Sequence, residues 1–198
     1  GERFDASTDV VIVGFGGAGV TAALEARANG AAVIALDRLE GGGATAISGG
    51  IVYAGGGTSI QKQAKVEDDV EAMFQYLKLE TQGIVSEETL RDFCEQSASN
   101  LEWLSSHGVP FEASLCPYKT SYPTDDYYLY YSGNESFAPY PDVAKPAPRG
   151  HRAKGKGLPG ENFYKPLRES ALRAGVELRE LSRVTALVVD SSENVIGV

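Results

Sequence analysis

A run of about 30 residues near the start constrains this chain most, because it carries every part of a βαβ unit in order. Asp9-Val10-Val11-Ile12-Val13 is a short β-branched stretch without polar alternation, the pattern of a strand buried on both faces of a parallel sheet. It runs straight into Gly14-Phe15-Gly16-Gly17-Ala18-Gly19, a G-x-G-x-x-G. The spacing of Val20, Ala23, Leu24 and Ala28 predicts a helix from Val20 to Asn29, stopped by Gly30. A second strand, Ala32 to Leu36, then ends at Asp37. Together these parts predict a Rossmann-like dinucleotide site. Gly14 would allow the tight turn, Gly16 the close approach of a pyrophosphate, and Gly19 the packing of helix on strand. Phosphates would sit on the free N–H groups at the helix start, Gly17 and Ala18, where the dipole favours negative charge. Asp37, 18 residues past Gly19, is placed to accept hydrogen bonds from a ribose 2′-OH. An acid there disfavours NADP, although Arg38 stands beside it.

The segment after Asp37 separates FAD from NAD. A simple NAD domain proceeds to another crossover helix, whereas this chain continues Glu40-Gly41-Gly42-Gly43-Ala44-Thr45-Ala46-Ile47-Ser48-Gly49-Gly50-Ile51 and then Gly55-Gly56-Gly57. More than half of its 23 glycines lie between Gly14 and Gly57. Bare amides and the hydroxyls of Thr45 and Ser48 could line a second phosphate and a flat ring. Ile47, Ile51 and Val52 interrupt the run, and a flexible linker would be more polar.

These residues carry a resemblance. V-I-V-G-F-G-G-A-G, then L-D-R and G-G-G-A-T-A-I-S-G-G-I, resembles the FAD domain of the fumarate reductase/succinate dehydrogenase flavoprotein family. Within that family, Ile47–Thr58, Ser132–Glu135 and Lys145–His151 are similar to the FAD-dependent 3-ketosteroid dehydrogenases, most of all to the Δ4-(5α) branch. The resemblance implies an α/β fold: a Rossmann-like FAD-binding domain with inserted helices and part of a substrate or cap region, the whole being an N-terminal fragment. It implies an FAD-dependent oxidoreductase acting on CH–CH groups, with desaturation next to a ketone and hydride transfer to flavin N5. Gly14, Gly16 and Gly19 would face the pyrophosphate and Asp37 the adenosine ribose. Ala44, Thr45, Ser48, Gly49 and Gly50 would face the flavin half, and the backbone at Val184 the adenine. Tyr127, after Asp125-Asp126, is the nearest match to an active-site tyrosine of the Δ1 relatives. Between Gly41 and Gly57 Tyr53 is the one His, Cys or Tyr, so non-covalent FAD is expected. The rivals are a fumarate reductase-like enzyme acting on carboxylates and a flavin-binding fragment without turnover. The partners implied are a 3-ketosteroid, an unidentified electron acceptor and the remainder of the same chain.

The rest of the chain reads in three parts. Residues 1–108 hold the first part of the FAD domain with two inserted helices. One helix is expected around Val66, Val70, Met73, Phe74 and Leu77, with Glu67, Asp68 and Asp69 favouring its N-terminal end. The other is capped by Ser86, turns Leu90, Phe93, Cys94, Ala98, Leu101 and Leu104 inward, and closes at His107-Gly108. Cys94 reads as a small core residue and His107 as a helix-end cation. Residues 109–160 lose periodicity, and the tyrosines there argue against disorder. Tyr118, Tyr122, Tyr128, Tyr130, Tyr131 and Tyr140 suit the packing of a cap or a polycyclic ligand. Lys145, Arg149, His151, Arg152, Lys154 and Lys156 read as a solvated basic loop or an anion contact. Residues 161–198 return to the FAD domain: a helix from Pro166 to Ala174, then strands at Val176–Arg179, Arg183–Val189 and Asn194–Val198.

Several classes are excluded. A net charge of −9 argues against nucleic-acid and anionic-membrane binding, and the longest apolar run is strand-sized, too short for a transmembrane segment. Two cysteines and two histidines make neither a disulfide framework nor a metal centre. They fit a reducing, cytoplasmic setting. The opening Gly-Glu-Arg-Phe-Asp lacks both Met and a signal pattern, as expected of a trimmed product.

Overall fold

The structure, a computed structural model, describes residues 3–198; Gly1 and Glu2 of that opening lie outside the described residues. In chain order the first elements are β1 (Val10–Val13), α1 (Gly17–Ala28), β2 (Val33–Leu36), α2 (Gly43–Ala46) and β3 (Ile51–Tyr53). Next come α3 (Ser59–Gln63), α4 (Val70–Glu80), α5 (Glu87–Ser106), β4 (Leu129–Tyr130) and β5 (Gly150–Arg152). The chain continues with α6 (Gly160–Arg173), β6 (Glu177–Arg179), β7 (Val188–Val189) and β8 (Val195–Gly197). It divides into two units, Gly1–Ile47 with Tyr164–Val198, and Ser48–Phe163. Residues 48–108 therefore cluster with residues 109–160.

The first unit is built on a parallel sheet of order β1-β2-β6. Helix α1 buries Val20, Ala23 and Leu24, the stripe its spacing marks. It starts at Gly17, three residues before that stripe, because glycines carry no apolar signal to announce a first turn. Strand β2 is buried through Val33, Ile34 and Ala35. Strand β1 is not buried on both faces as expected, since Val11 is 41% and Val13 56% exposed. β1 is an edge strand, and the face bearing Val11 borders an open cavity of about 530 Å³.

The tail departs from expectation. Helix α6 begins at Gly160 and carries Pro166 in its interior. The strand expected over Arg183–Val189 shrinks to β7, paired antiparallel with β8. Residues just before it are held elsewhere: Leu181 N–H donates to the Leu39 carbonyl and Ser182 N–H to the Asp37 carbonyl, at 3.0 and 2.7 Å. Asp190 turns the β7–β8 hairpin by accepting the amides of Ser192 and Asn194 at 2.8 and 3.0 Å.

The second unit packs helices α3–α5 with an antiparallel sheet of order β3-β5-β4. Asp69 caps α4 by accepting from Ala72 N–H at 2.7 Å, so the helix starts at Val70, later than the apolar pattern suggests. Ser86 caps α5 as expected, accepting from Thr89 N–H. On α5, Leu90, Cys94 and Leu101 face inward, but Phe93 is 42% exposed. Ser97 is buried in its place, and its hydroxyl accepts the Gly55 amide at 2.9 Å. Cys94 is a core residue whose thiol burial pushes up to about 11. His107 ends α5 with Nδ1 2.8 Å from the Trp103 carbonyl.

The expected basic loop is overturned for three of its members. Arg149, His151 and Arg152 are fully buried on or beside β5, while Lys145 and Lys154 pair at the surface with Glu67 and Glu112. Arg149 forms a two-pronged pair with Asp68, Nε to Oδ2 at 3.0 Å and Nη2 to Oδ1 at 2.7 Å, both side chains fully buried. Asp68, read as helix-favouring, is thus a core counter-ion. Removing one partner of such a pair strands the other charge in low dielectric. Asp68→Asn should therefore cost about 3–5 kcal/mol of stability in urea denaturation. An unchanged unfolding midpoint would remove the pair from the account of this unit.

Candidate functional site

The glycine loop between β1 and α1 is pinned from three sides. Gly14 leaves β1 with φ +91, a conformation that favours glycine, and its amide donates to the Leu36 carbonyl at 2.8 Å. A Cβ on Gly19 would overlap the Gly14 carbonyl oxygen, so the helix meets the strand closely only because Gly19 has no side chain. The Phe15 carbonyl receives two donors, Gly42 N–H at 2.9 Å and the Tyr164 hydroxyl at 2.6 Å. Gly16 is the N-cap of α1 and supplies no side chain. Thr45 Oγ1 accepts the Gly17 amide at 3.1 Å. The amides of Ala18 and Gly19 belong to the helix's first turn, which has no intrahelical acceptor.

Asp37 is buried at the end of β2. Its Oδ2 accepts Phe15 N–H at 2.7 Å and its Oδ1 accepts Leu39 N–H at 2.8 Å. Each carboxylate oxygen keeps a second lone pair. Arg38 and Ala44 are exposed. Val184 lies apart from the glycine loop, lining the 530 Å³ cavity with Arg179, Arg183, Leu36 and Ile34. The structure therefore gathers Gly14, Gly16, Gly17, Ala18, Gly19, Asp37 and Thr45. Sequence reasoning missed Tyr164, which stands 149 positions from its partner Phe15; no local spacing could have signalled it.

Ser48, Gly49 and Gly50 lie in the second unit, where their carbonyls are all taken. Gly160 N–H donates to Ser48 O at 3.0 Å, Ala153 N–H to Gly50 O at 2.8 Å, and the Tyr122 hydroxyl to Gly49 O at 3.2 Å. A Cβ on Gly49 would fall 2.6 Å from the Tyr122 ring. Tyr127 packs edge-on against Tyr118, centroids 6.2 Å apart at 83°. Among the described residues no group of His, Cys, Asp or Glu could hold a metal, and no helix is long and apolar enough to cross a membrane.

A parallel sheet, a bare glycine turn, a helix start aimed at it and an acid closing β2 define a dinucleotide-binding protein of the Rossmann class. The profile of the FAD binding domain family matches residues 9–198, and the chain belongs to that family. It is 46% identical over 196 residues to a 3-oxo-5-alpha-steroid 4-dehydrogenase of Comamonas testosteroni, covering 97% of this chain and 37% of the relative. Among solved structures it is similar to the 3-ketosteroid-delta4-(5alpha)-dehydrogenase of Rhodococcus jostii RHA1 in complex with 4-androstene-3,17-dione, at TM-score 0.91 and 40% identity. That match covers 98% of this chain and 41% of the other. The open form of a flavocytochrome c3 fumarate reductase matches at TM-score 0.73 and 30% identity, over 97% of this chain and 30% of that one. The chain thus spans well under half the length of these relatives.

The second unit also holds a set of buried polar side chains. The Tyr53 hydroxyl donates to Glu135 Oε1 at 3.0 Å, and burial raises the pKa of both groups. His151 Nδ1 lies 3.0 Å from the Arg149 carbonyl and Nε2 2.9 Å from Thr58 Oγ1. A carbonyl can only accept, so Nδ1 carries the proton and Nε2 accepts. Burial lowers the His151 pKa from 6.5 to about 4. Across that window the unfolded chain binds a proton that the native chain does not, so stability rises with pH and the contribution is complete above 6.5. The His151 ring signals should stay in the neutral form from about pH 5 to 8, and His151→Asn should flatten the acid limb of a stability–pH curve. Ring titration near 6.5 would contradict the buried neutral assignment.

Proposed function

We propose that this chain is the FAD-binding portion of a flavin-dependent 3-ketosteroid dehydrogenase that introduces a C=C bond next to a ketone. The observation that carries the substrate is the 46% identity to a steroid 4-dehydrogenase across 97% of the chain. The glycine loop supports the cofactor: nothing lies within 4 Å of where a Gly14 side chain would begin, leaving bare backbone for a pyrophosphate to approach. Gly14, Gly16, Gly17, Ala18 and Gly19 would hold the phosphates, the second lone pairs of Asp37 the adenosine ribose, with Arg38 beside it, and the Val184 backbone the adenine. Ala44, Thr45, Ser48, Gly49 and Gly50 would serve the flavin half. Bound flavin supplies the hydride acceptor. The Tyr127 hydroxyl is the proton-handling group this chain would contribute. Attachment is non-covalent in this reading, because Tyr53 is already engaged by Glu135. A cytoplasmic setting and an external electron acceptor belong to the same reading, and both free cysteines are buried.

The fumarate reductase-like alternative draws on the basic loop as an anion clamp. Arg149 and Arg152 spend their charge on Asp68 and Asp125, so that support falls away.

Gly16→Val in the whole protein should abolish flavin absorbance while leaving a native circular dichroism spectrum. The new Cβ meets the Gly42 carbonyl and Gly43 Cα at ordinary contact distances of 3.5 and 4.0 Å, and the remaining branches would occupy the phosphate approach. Retained flavin would sink the assignment of this loop. Acid precipitation should release all flavin to the supernatant, and fluorescence left in the pellet would contradict non-covalent binding. Anaerobic addition of a 3-ketosteroid should bleach the flavin; bleaching only by succinate would favour the carboxylate rival. Tyr127→Phe should lower steroid turnover several-fold at unchanged FAD content, and equal turnover would return Tyr127 to packing.

A further inference from the structure

Arg152 is the most heavily bonded side chain of the second unit, yet the proposed function leaves it unused. It is fully buried at the end of β5. Its Nε donates to the Tyr122 hydroxyl at 3.0 Å and its Nη1 to the Thr124 carbonyl at 3.0 Å. Its Nη2 reaches Asp125 Oδ1 at 2.8 Å and the carbonyls of Gly157 and Gly155 at 2.8 and 3.3 Å. The guanidinium also lies over the rings of Tyr122 and Tyr128, 4.8 and 5.3 Å from their centroids. A cation placed so deep needs this full set of acceptors to offset its lost hydration.

The consequence falls on Ser48-Gly49-Gly50. Three successive carbonyls of this segment are held, the outer two by backbone amides and the middle one by the Tyr122 hydroxyl. That hydroxyl is also 2.7 Å from the Gly157 carbonyl. The hydroxyl shares its one proton between these two carbonyls while accepting from Arg152 Nε. The N–H of the Gly49–Gly50 peptide donates to Ser48 Oγ at 3.1 Å, so side chains hold both ends of this peptide and Arg152 orients one of them.

We propose that Arg152, acting through Tyr122, is a positioning residue that sets the orientation of the Gly49–Gly50 peptide toward the flavin. This rests on the reading that Ser48–Gly50 serve the flavin half. Rotating the peptide would turn its dipole, and a dipole beside a ring changes both affinity for the ring and its electronic spectrum.

The test uses the whole protein, isolated with FAD. Tyr122→Phe keeps the ring against Gly49 and removes only the hydroxyl. It should weaken FAD binding by up to about tenfold, the most that one lost supporting hydrogen bond could transmit, and shift the flavin's visible band and reduction potential. Arg152→Met should do the same more strongly, and Arg152→Lys should recover part of the loss. A lowered thermal midpoint with affinity, spectrum and potential all unchanged would overturn the proposal and leave Arg152 supporting the fold alone. Wild-type protein without FAD would overturn the flavin reading itself. Wild-type protein with FAD and silent variants would overturn only the positioning role.

Discussion

Gly14 and Gly19 approach so closely that no side chain fits between them, and the first unit depends on this contact. It lets α1 leave β1 at once, so the helix start stands over the turn instead of beside it. The turn is then stiffened from outside: Asp37 takes the Phe15 amide, while Gly42 and Tyr164 both donate to the Phe15 carbonyl. Each bond ties the loop to a different part of the chain. The loop's backbone is thus already fixed, and a bound anion would not have to order it. Affinity at such a site comes from preorganisation more than from contact area.

That unit is legible in the sequence because its information is local. Val10–Val13, the glycine spacing and the α1 stripe lie within one short run, and backbone sterics plus one periodicity decide them. The same holds for α5, where Ser86 and the Leu90–Cys94–Leu101 spacing mark both start and face. Legibility fails where a partner is distant. Asp68 reads as a helix-favouring acid because Arg149, its counter-ion, lies 81 positions away. Arg149, His151 and Arg152 read as a solvated loop for the same reason. Phe93 fits the apolar period of α5, yet Ser97 takes the buried place because the Gly55 amide requires an acceptor there. Hydrophobic counting cannot see a backbone donor on another segment.

The second unit also shows why buried charge can be retained. Apolar residues of similar volume would serve its stability as well, so stability does not explain two fully buried guanidiniums. Strands β3, β4 and β5 are two or three residues long, so the ladder alone fixes little register. A slip of one residue would exchange the faces of β5. In the observed register the Arg152 guanidinium finds five acceptors, and Arg149 finds the bidentate carboxylate of Asp68. A slipped strand would bury both cations without partners. The cost of that error is several kcal/mol per ion, far more than a short ladder could impose. The charges of Arg149, just before β5, and Arg152, at its end, therefore favour this register. They hold in place the strand against which β3 and the glycines before it are aligned.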